Sequence, residues 1–334
     1  MRYTPKREAS LSKTKTALII IGLGLLLGST VVWTKLLTEH MTTMQIVSMR
    51  IVLGALTMFA LLAVKGELRR PSLALLGGAA LLGMFDSAVP YMLMAFGARQ
   101  LAAGLGSVLM ATAPLFTTAF ATVMDREERL SVTRLSALVL GFLGVMIIVA
   151  PNGATVSNGF RLGHAAFLAA SVTLGATTVF GRRLLRTSHA LELSAWKLAG
   201  ASVLVVPIML ATDGVPDTSA LNVEPLLAML FVGVVSTGFA RMAYLWASGV
   251  VGSARISLVA YVMPGAGLLT AWLVLGEQPA PTIIAGLALV FLSIFGVMPS
   301  ARRAPRETAR VLARDGEARD ADTTRLQRGQ QALC

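Results

Sequence analysis

The 334-residue chain contains one cysteine, Cys334, which rules out both a disulfide framework and a thiolate metal centre. The last four residues, Gln331, Ala332, Leu333 and Cys334, do not form a prenylation box. Its three histidines, His40, His164 and His189, are scattered and match no H-E-x-x-H spacing, so no metal is expected. No Ser/His/Asp set, nucleophile elbow or phosphate-binding glycine loop can be found, which leaves no expected cofactor, no ATP hydrolysis and no enzymatic role. Gly22-x-Gly24 is not a dinucleotide fingerprint, because no strand precedes it. Charged residues make up 14% of the chain, against about 25% in an ordinary soluble domain, so a water-soluble globule is also excluded.

In their place the chain has 55% hydrophobic residues and a mean hydropathy of +0.72. Its net charge of +12 would suggest a nucleic-acid partner in a soluble protein. Here the charge is concentrated in the first fifteen residues, in the tail from Ala301 and in short clusters between apolar runs, and no nucleic-acid partner is expected. The first apolar run, 17–33, is longer than a signal-peptide core and no A-x-A site follows it, so it reads as a retained span.

A bilayer core about 30 Å thick needs roughly 20 apolar residues per helix. Ten runs meet that length: 16–34, 44–64, 71–96, 101–124, 133–150, 162–181, 190–211, 223–246, 251–275 and 280–299. With the N-terminus on the cytoplasmic side, 23 Lys and Arg fall in inward-facing segments, while the outward loops hold Lys35, Arg99 and Arg161. This asymmetry predicts a multi-pass protein of the inner or plasma membrane, in contact with its lipids and with both termini cytoplasmic.

The sequence also repeats itself. Gly83, Asp86, Ser87 and Met92 correspond to Gly233, Ser236, Thr237 and Met242, and Ser107, Pro114 and Glu127 correspond to Ser257, Pro264 and Glu277, at an offset of 150. Upstream, at an offset of 147, Leu27-Gly28-Ser29-Thr30, Lys35 and Arg50 correspond to Leu174-Gly175-Ala176-Thr177, Arg182 and Lys197. Five spans per half is an odd number, so the second half enters the membrane from the opposite side. The prediction is an all-α integral membrane protein with ten transmembrane helices as two inverted five-helix repeats. Its parts are a cytoplasmic arm over 1–15, repeats over 16–150 and 151–300, and a disordered cytoplasmic tail over 301–334. Inverted repeats are the architecture of many secondary transporters, with the substrate near the midplane.

The motifs Leu27-Gly28-Ser29-Thr30, Glu39-His40-Met41 leading to Arg50, Gly104-Leu105-Gly106-Ser107 through Pro114-Leu115-Phe116, Glu128-Arg129-Leu130-Ser131 and Pro264 through Gly276-Glu277 give the chain its family likeness. With them it resembles the EamA family of the drug/metabolite transporter superfamily over about 16–300. The first half departs from the pattern at Asp125-Arg126-Glu127, where many relatives have a Gly-Glu turn. The resemblance implies a ten-helix carrier that moves amino acids or other small metabolites, often outward, by alternating access. A broad-specificity efflux carrier for drugs or lipophilic cations is the alternative, and an intramembrane enzyme a remote one.

Asp86 is the carboxylate deepest in a predicted span, about 22 Å along the helix from Pro71 and about 15 Å from the other end. A charge at that depth faces a cavity, pairs with a cation or takes up a proton, which makes Asp86 a candidate for substrate binding or proton coupling, with a hydrogen-bonded structural acid as the plainer reading. Pro90, Pro114 and Pro264 each remove a helical donor and free a carbonyl at mid-depth. Thr237, Arg241, Tyr244 and Ser248 form one helical stripe, matched by Ser87, Tyr91 and Met94 in the first half. Ser236 and Tyr261 complete the candidate lining for a small-molecule substrate. Arg50 and Lys197 lie about two turns into their spans, where snorkelling or a structural pair competes with substrate contact. Arg241, about one and a half turns from a cytoplasmic end, is open to snorkelling as well. Gly24-x-x-x-Gly28 permits close helix packing.

Overall fold

Polar side chains start the helices and a glycine stops one of the most important. Ser12 accepts from the Lys15 N–H at 3.3 Å and Ser72 from the Leu75 N–H at 3.2 Å, opening α1 (Lys13–Gly28) and α4 (Leu73–Gly83). Thr42 and Gln45 cap each other reciprocally at the start of α3 (Thr43–Val64). The computed structural model describes residues 12–68, 71–124, 132–149, 162–185, 190–216, 222–251, 256 and 258–297. The arm over 1–11, the Asp125-Arg126-Glu127 turn and the tail over 301–334 lie outside the described residues.

Beyond α1, α3 and α4 the order is α2 (Thr30–Leu37), α5 (Val89–Gln100), α6 (Ala103–Met110), α7 (Ala113–Met124), α8 (Val132–Val149), α9 (Leu162–Leu185) and α10 (Ala190–Thr212). Next come α11 (Val223–Leu230), α12 (Arg241–Val251), α13 (Val259–Leu275) and α14 (Pro281–Val297). Among the described residues two π-helical segments interrupt this order, Met84–Ala88 between α4 and α5 and Phe231–Ala240 between α11 and α12. Pro90 has no N–H to offer the Asp86 carbonyl, and the chain widens: the Val89 N–H donates to the carbonyl of Met84, five residues back. In the second segment the Thr237 hydroxyl donates to the Val232 carbonyl at 2.7 Å, also across five residues.

Among the described residues, seven helical stretches are long and apolar enough to cross a bilayer: Thr14–Leu37, Thr43–Val64, Leu75–Gln100, Ala103–Ala121, Leu162–Val179, Ala190–Thr212 and Val223–Ser248. Three shorter apolar helices, Val139–Ile148, Val259–Leu275 and Pro281–Ser293, stand where the sequence predicts the fifth, ninth and tenth spans. Large apolar side chains cover the outside, with Leu73 88% and Met146 68% exposed, a surface suited to lipid.

Glycines set the closest helix crossings. A Cβ added at Gly28 would lie 2.2 Å from the Met263 carbonyl oxygen, and one at Gly83 would lie 2.0 Å from that of Lys197. The expected close packing at Gly24-x-x-x-Gly28 is thus made by α1 against α13. That crossing recurs as α9 against α7, and the packing of α3 on the second π-segment recurs as α10 on α4. An apolar core of α3 and α10 side chains, including Ile51, Met58, Leu198 and Val205, lies between them.

Candidate substrate site

The first π-segment carries Asp86 into the interior, where its residue is 7% exposed. Three helices supply donors to its carboxylate. Lys197 of α10 donates to Oδ2, Arg241 at the start of α12 donates from Nη2 to the same oxygen at 2.9 Å, and Thr177 of α9 donates to Oδ1 at 3.3 Å. Lys197 and Asp86 are both buried, whereas the Arg241 side chain is 39% exposed.

Arg50 of α3 adjoins this group and is 4% exposed. Its Nε donates to Thr237 Oγ1 at 2.8 Å, and its guanidinium carbon lies 3.7 Å from the centroid of the Tyr91 ring. Its Nη1 is buried and has no acceptor among the described residues. Arg50 and Arg241 are near enough to repel each other, and so are Arg241 and Lys197. Ser87, Tyr91, Ser194, Lys197, Thr237 and Arg241 line a small cavity at this point. Two cations thus share one carboxylate, and a third, Arg50, lies beside them without an acid of its own, in an interior where an unbalanced charge is expensive.

The structure brings Asp86, Tyr91, Arg241, Arg50 and Lys197 into one site. These three cations are the basic residues that the loop count leaves within spans. Arg50 and Lys197 turn inward to protein partners rather than outward to headgroups, and Arg241 reaches Asp86. Pro90 shapes the π-segment beside the site, while Pro114 opens α7 and Pro264 lies within α13, away from the cavity lining. Ser236 bonds Thr30 at 2.6 Å. Tyr244 packs on a separate apolar cluster with Leu23 and Val259, and the Tyr261 ring faces Phe291 with centroids 5.8 Å apart.

Ser194 and Thr177 were not among the residues expected from sequence. Thr177 stands at the end of the repeated Leu174-Gly175-Ala176-Thr177 motif, and that recurrence was the available signal. Glu277 was legible as a repeat position but not for what it does. The positive φ of 67° at Gly276 ends α13 and turns Glu277 onto the start of α6, where Oε1 accepts from the Ala103 N–H and Oε2 from the Gly104 N–H, each at 2.9 Å.

Lipid-suited helices around a buried charged cavity mark an integral membrane protein. The chain belongs to the EamA-like transporter family, whose profile matches twice, over residues 14–150 and 161–298. It is 24% identical over 281 residues to the uncharacterized transporter YoaV of Bacillus subtilis, covering 84% of this chain and 96% of that one. A protein of Streptantibioticus cattleyicolor named "Probable terminal-alkyne amino-acid exporter" is 28% identical over 70% of this chain and 76% of its own length. One of Salmonella typhimurium named "Probable amino-acid metabolite efflux pump" is 23% identical over 63% of this chain and 71% of its own. A solved crystal structure shares the fold with a TM-score of 0.60 at 16% identity, covering 85% of this chain and 98% of that one. The chain is a multi-pass membrane transporter.

Proposed function

We propose that the chain is a secondary active exporter of amino acids or related small metabolites, with ten membrane helices in two inverted five-helix repeats that alternate access to the cavity at Asp86. One observation carries this reading: the site draws its residues from both family-matched halves, Arg50, Asp86, Ser87 and Tyr91 from the first and Thr177, Ser194, Lys197, Thr237 and Arg241 from the second. A site shared in this way is remade whenever one half rocks against the other. The energy source in this reading is a proton gradient or the gradient of the substrate itself, and the basic-loop count sets both termini on the cytoplasmic side of the cell membrane.

A lipophilic cation needs an available acid inside an aromatic cage. Asp86 is already engaged by Lys197 and Arg241, and Tyr91 by Arg50, which weighs against a cation efflux carrier. The test is counterflow in proteoliposomes with labelled amino acids and with tetraphenylphosphonium, over a range of pH. Amino-acid counterflow with a pH profile flattened by Asp86→Asn supports both transport and proton coupling. An unchanged profile in that variant removes the coupling role, and counterflow of the cation alone overturns the proposed substrate class.

A further inference from the structure

From the charge balance of the cavity we infer that the preferred substrate is a small organic anion with net negative charge, whose carboxylate docks between Arg50 and Arg241. The inference rests on the reading of this cavity as the transport site.

Four features lead to it. Arg50 is nearly fully buried, yet it has no ion-pair partner among the described residues; its Nε is spent on a neutral hydroxyl and its face on a neutral ring, while Nη1 has no acceptor. A guanidinium in that position holds one hydroxyl oxygen but lacks the carboxylate that its fork is made to hold. The neighbouring cations do not relieve it, since Lys197 and Arg241 are pinned to the same oxygen of Asp86, and each repels the next. The cavity wall supplies hydroxyls from Ser87 and Ser194, both able to donate to a carboxylate, while the Thr237 hydroxyl is already spent on the Val232 carbonyl.

The formal charge of the three cations and Asp86 is +2, so an incoming ammonium group meets repulsion and no unoccupied acid. A zwitterionic amino acid leaves the +2 in place, whereas a dicarboxylate cancels it and an acidic amino acid halves it. Arg241, the more exposed of the two arginines, can follow the ligand while Lys197 keeps Asp86 neutralised.

The experiment is a binding titration of the purified full chain, read by thermal shift and calorimetry, with succinate, L-glutamate, L-alanine, L-lysine and tetraphenylphosphonium. Succinate and L-glutamate are expected to raise the melting temperature saturably, L-alanine to bind more weakly, and L-lysine and tetraphenylphosphonium not to bind. Arg50→Gln and Arg241→Gln are each expected to weaken succinate binding by about 10- to 100-fold, with Arg50→Lys recovering part of the loss. If Arg50→Gln does not fold, Arg241→Gln carries the comparison. Binding of L-alanine, L-lysine or tetraphenylphosphonium as tight as that of succinate overturns the inference, as does no saturable binding of either anion or unaltered affinity in the folded variants. Counterflow of zwitterions with both anions inert overturns the inference and leaves the export reading standing. Anion binding without counterflow of any substrate does the reverse.

Discussion

Thr30 and Ser236 share a 2.6 Å hydrogen bond between α2 and the second π-segment, and the same contact recurs between Thr177 and Asp86 at the equivalent positions of the other pair of helices. The Arg50–Thr237 contact likewise corresponds to that of Lys197 with the first π-segment. Each half therefore presents a threonine and a cation to the π-segment of the other. The two sides differ in charge: where the first half has Asp86 and Tyr91, the second has Ser236 and Arg241. One acid and one extra cation turn a near-symmetric polar seam into an ionic site.

Removing Asp86 leaves the buried Lys197 without its acid, facing the part-exposed Arg241. Breaking a buried pair from one side costs about 3–5 kcal/mol, whereas replacing both partners with apolar groups is far cheaper. Asp86→Ala is accordingly expected to lower the thermal midpoint of the detergent-solubilised protein steeply, and Asp86→Ala with Lys197→Met to recover part of it. A double variant less stable than the single one would contradict this account.

Gly83 and Gly77 lie on the same helix and are expected to respond in opposite ways. Alanine at Gly83 places a methyl carbon 2.0 Å from the Lys197 carbonyl oxygen, a backbone atom that cannot step aside, and is expected to cost about 1–3 kcal/mol while shifting Lys197. Alanine at Gly77 meets nothing within 4 Å and gains up to about 1 kcal/mol in helix propensity. Unfolding titrations of the two variants provide the comparison, and equal destabilisation would refute the packing argument.

The loss of Glu277 should uncap α6. Glu277→Ala is expected to destabilise by about 1–2 kcal/mol and to speed hydrogen exchange at the Ala103 and Gly104 amides, with Glu277→Gln intermediate because it keeps one acceptor and no charge. Unchanged exchange at those two amides would count against the cap.

Much of this was readable in the residues themselves. Apolar run length located the helices, and the offsets of 147 and 150 paired Arg50 with Lys197 and Tyr91 with Arg241 by position alone. Depth along a helix, however, does not give rotation about its axis. Arg241 and Lys197 are close enough to a span end to snorkel, and the direction Arg241 takes depends on the π-segment before it, which adds a residue to the turn and re-aims the side chains beyond. The Glu277 cap was hidden for another reason, since its acceptors meet amides more than 170 residues away, which only the packing of α13 on α6 brings together.

The three-to-one balance of cations and acid has an electrical consequence. A membrane potential acts on each uncompensated elementary charge with about 2.3 kcal/mol per 100 mV across the full bilayer. Any step that carries the Asp86 site through part of that field therefore runs at a rate set by voltage, and a ligand that alters the local charge alters that sensitivity with it.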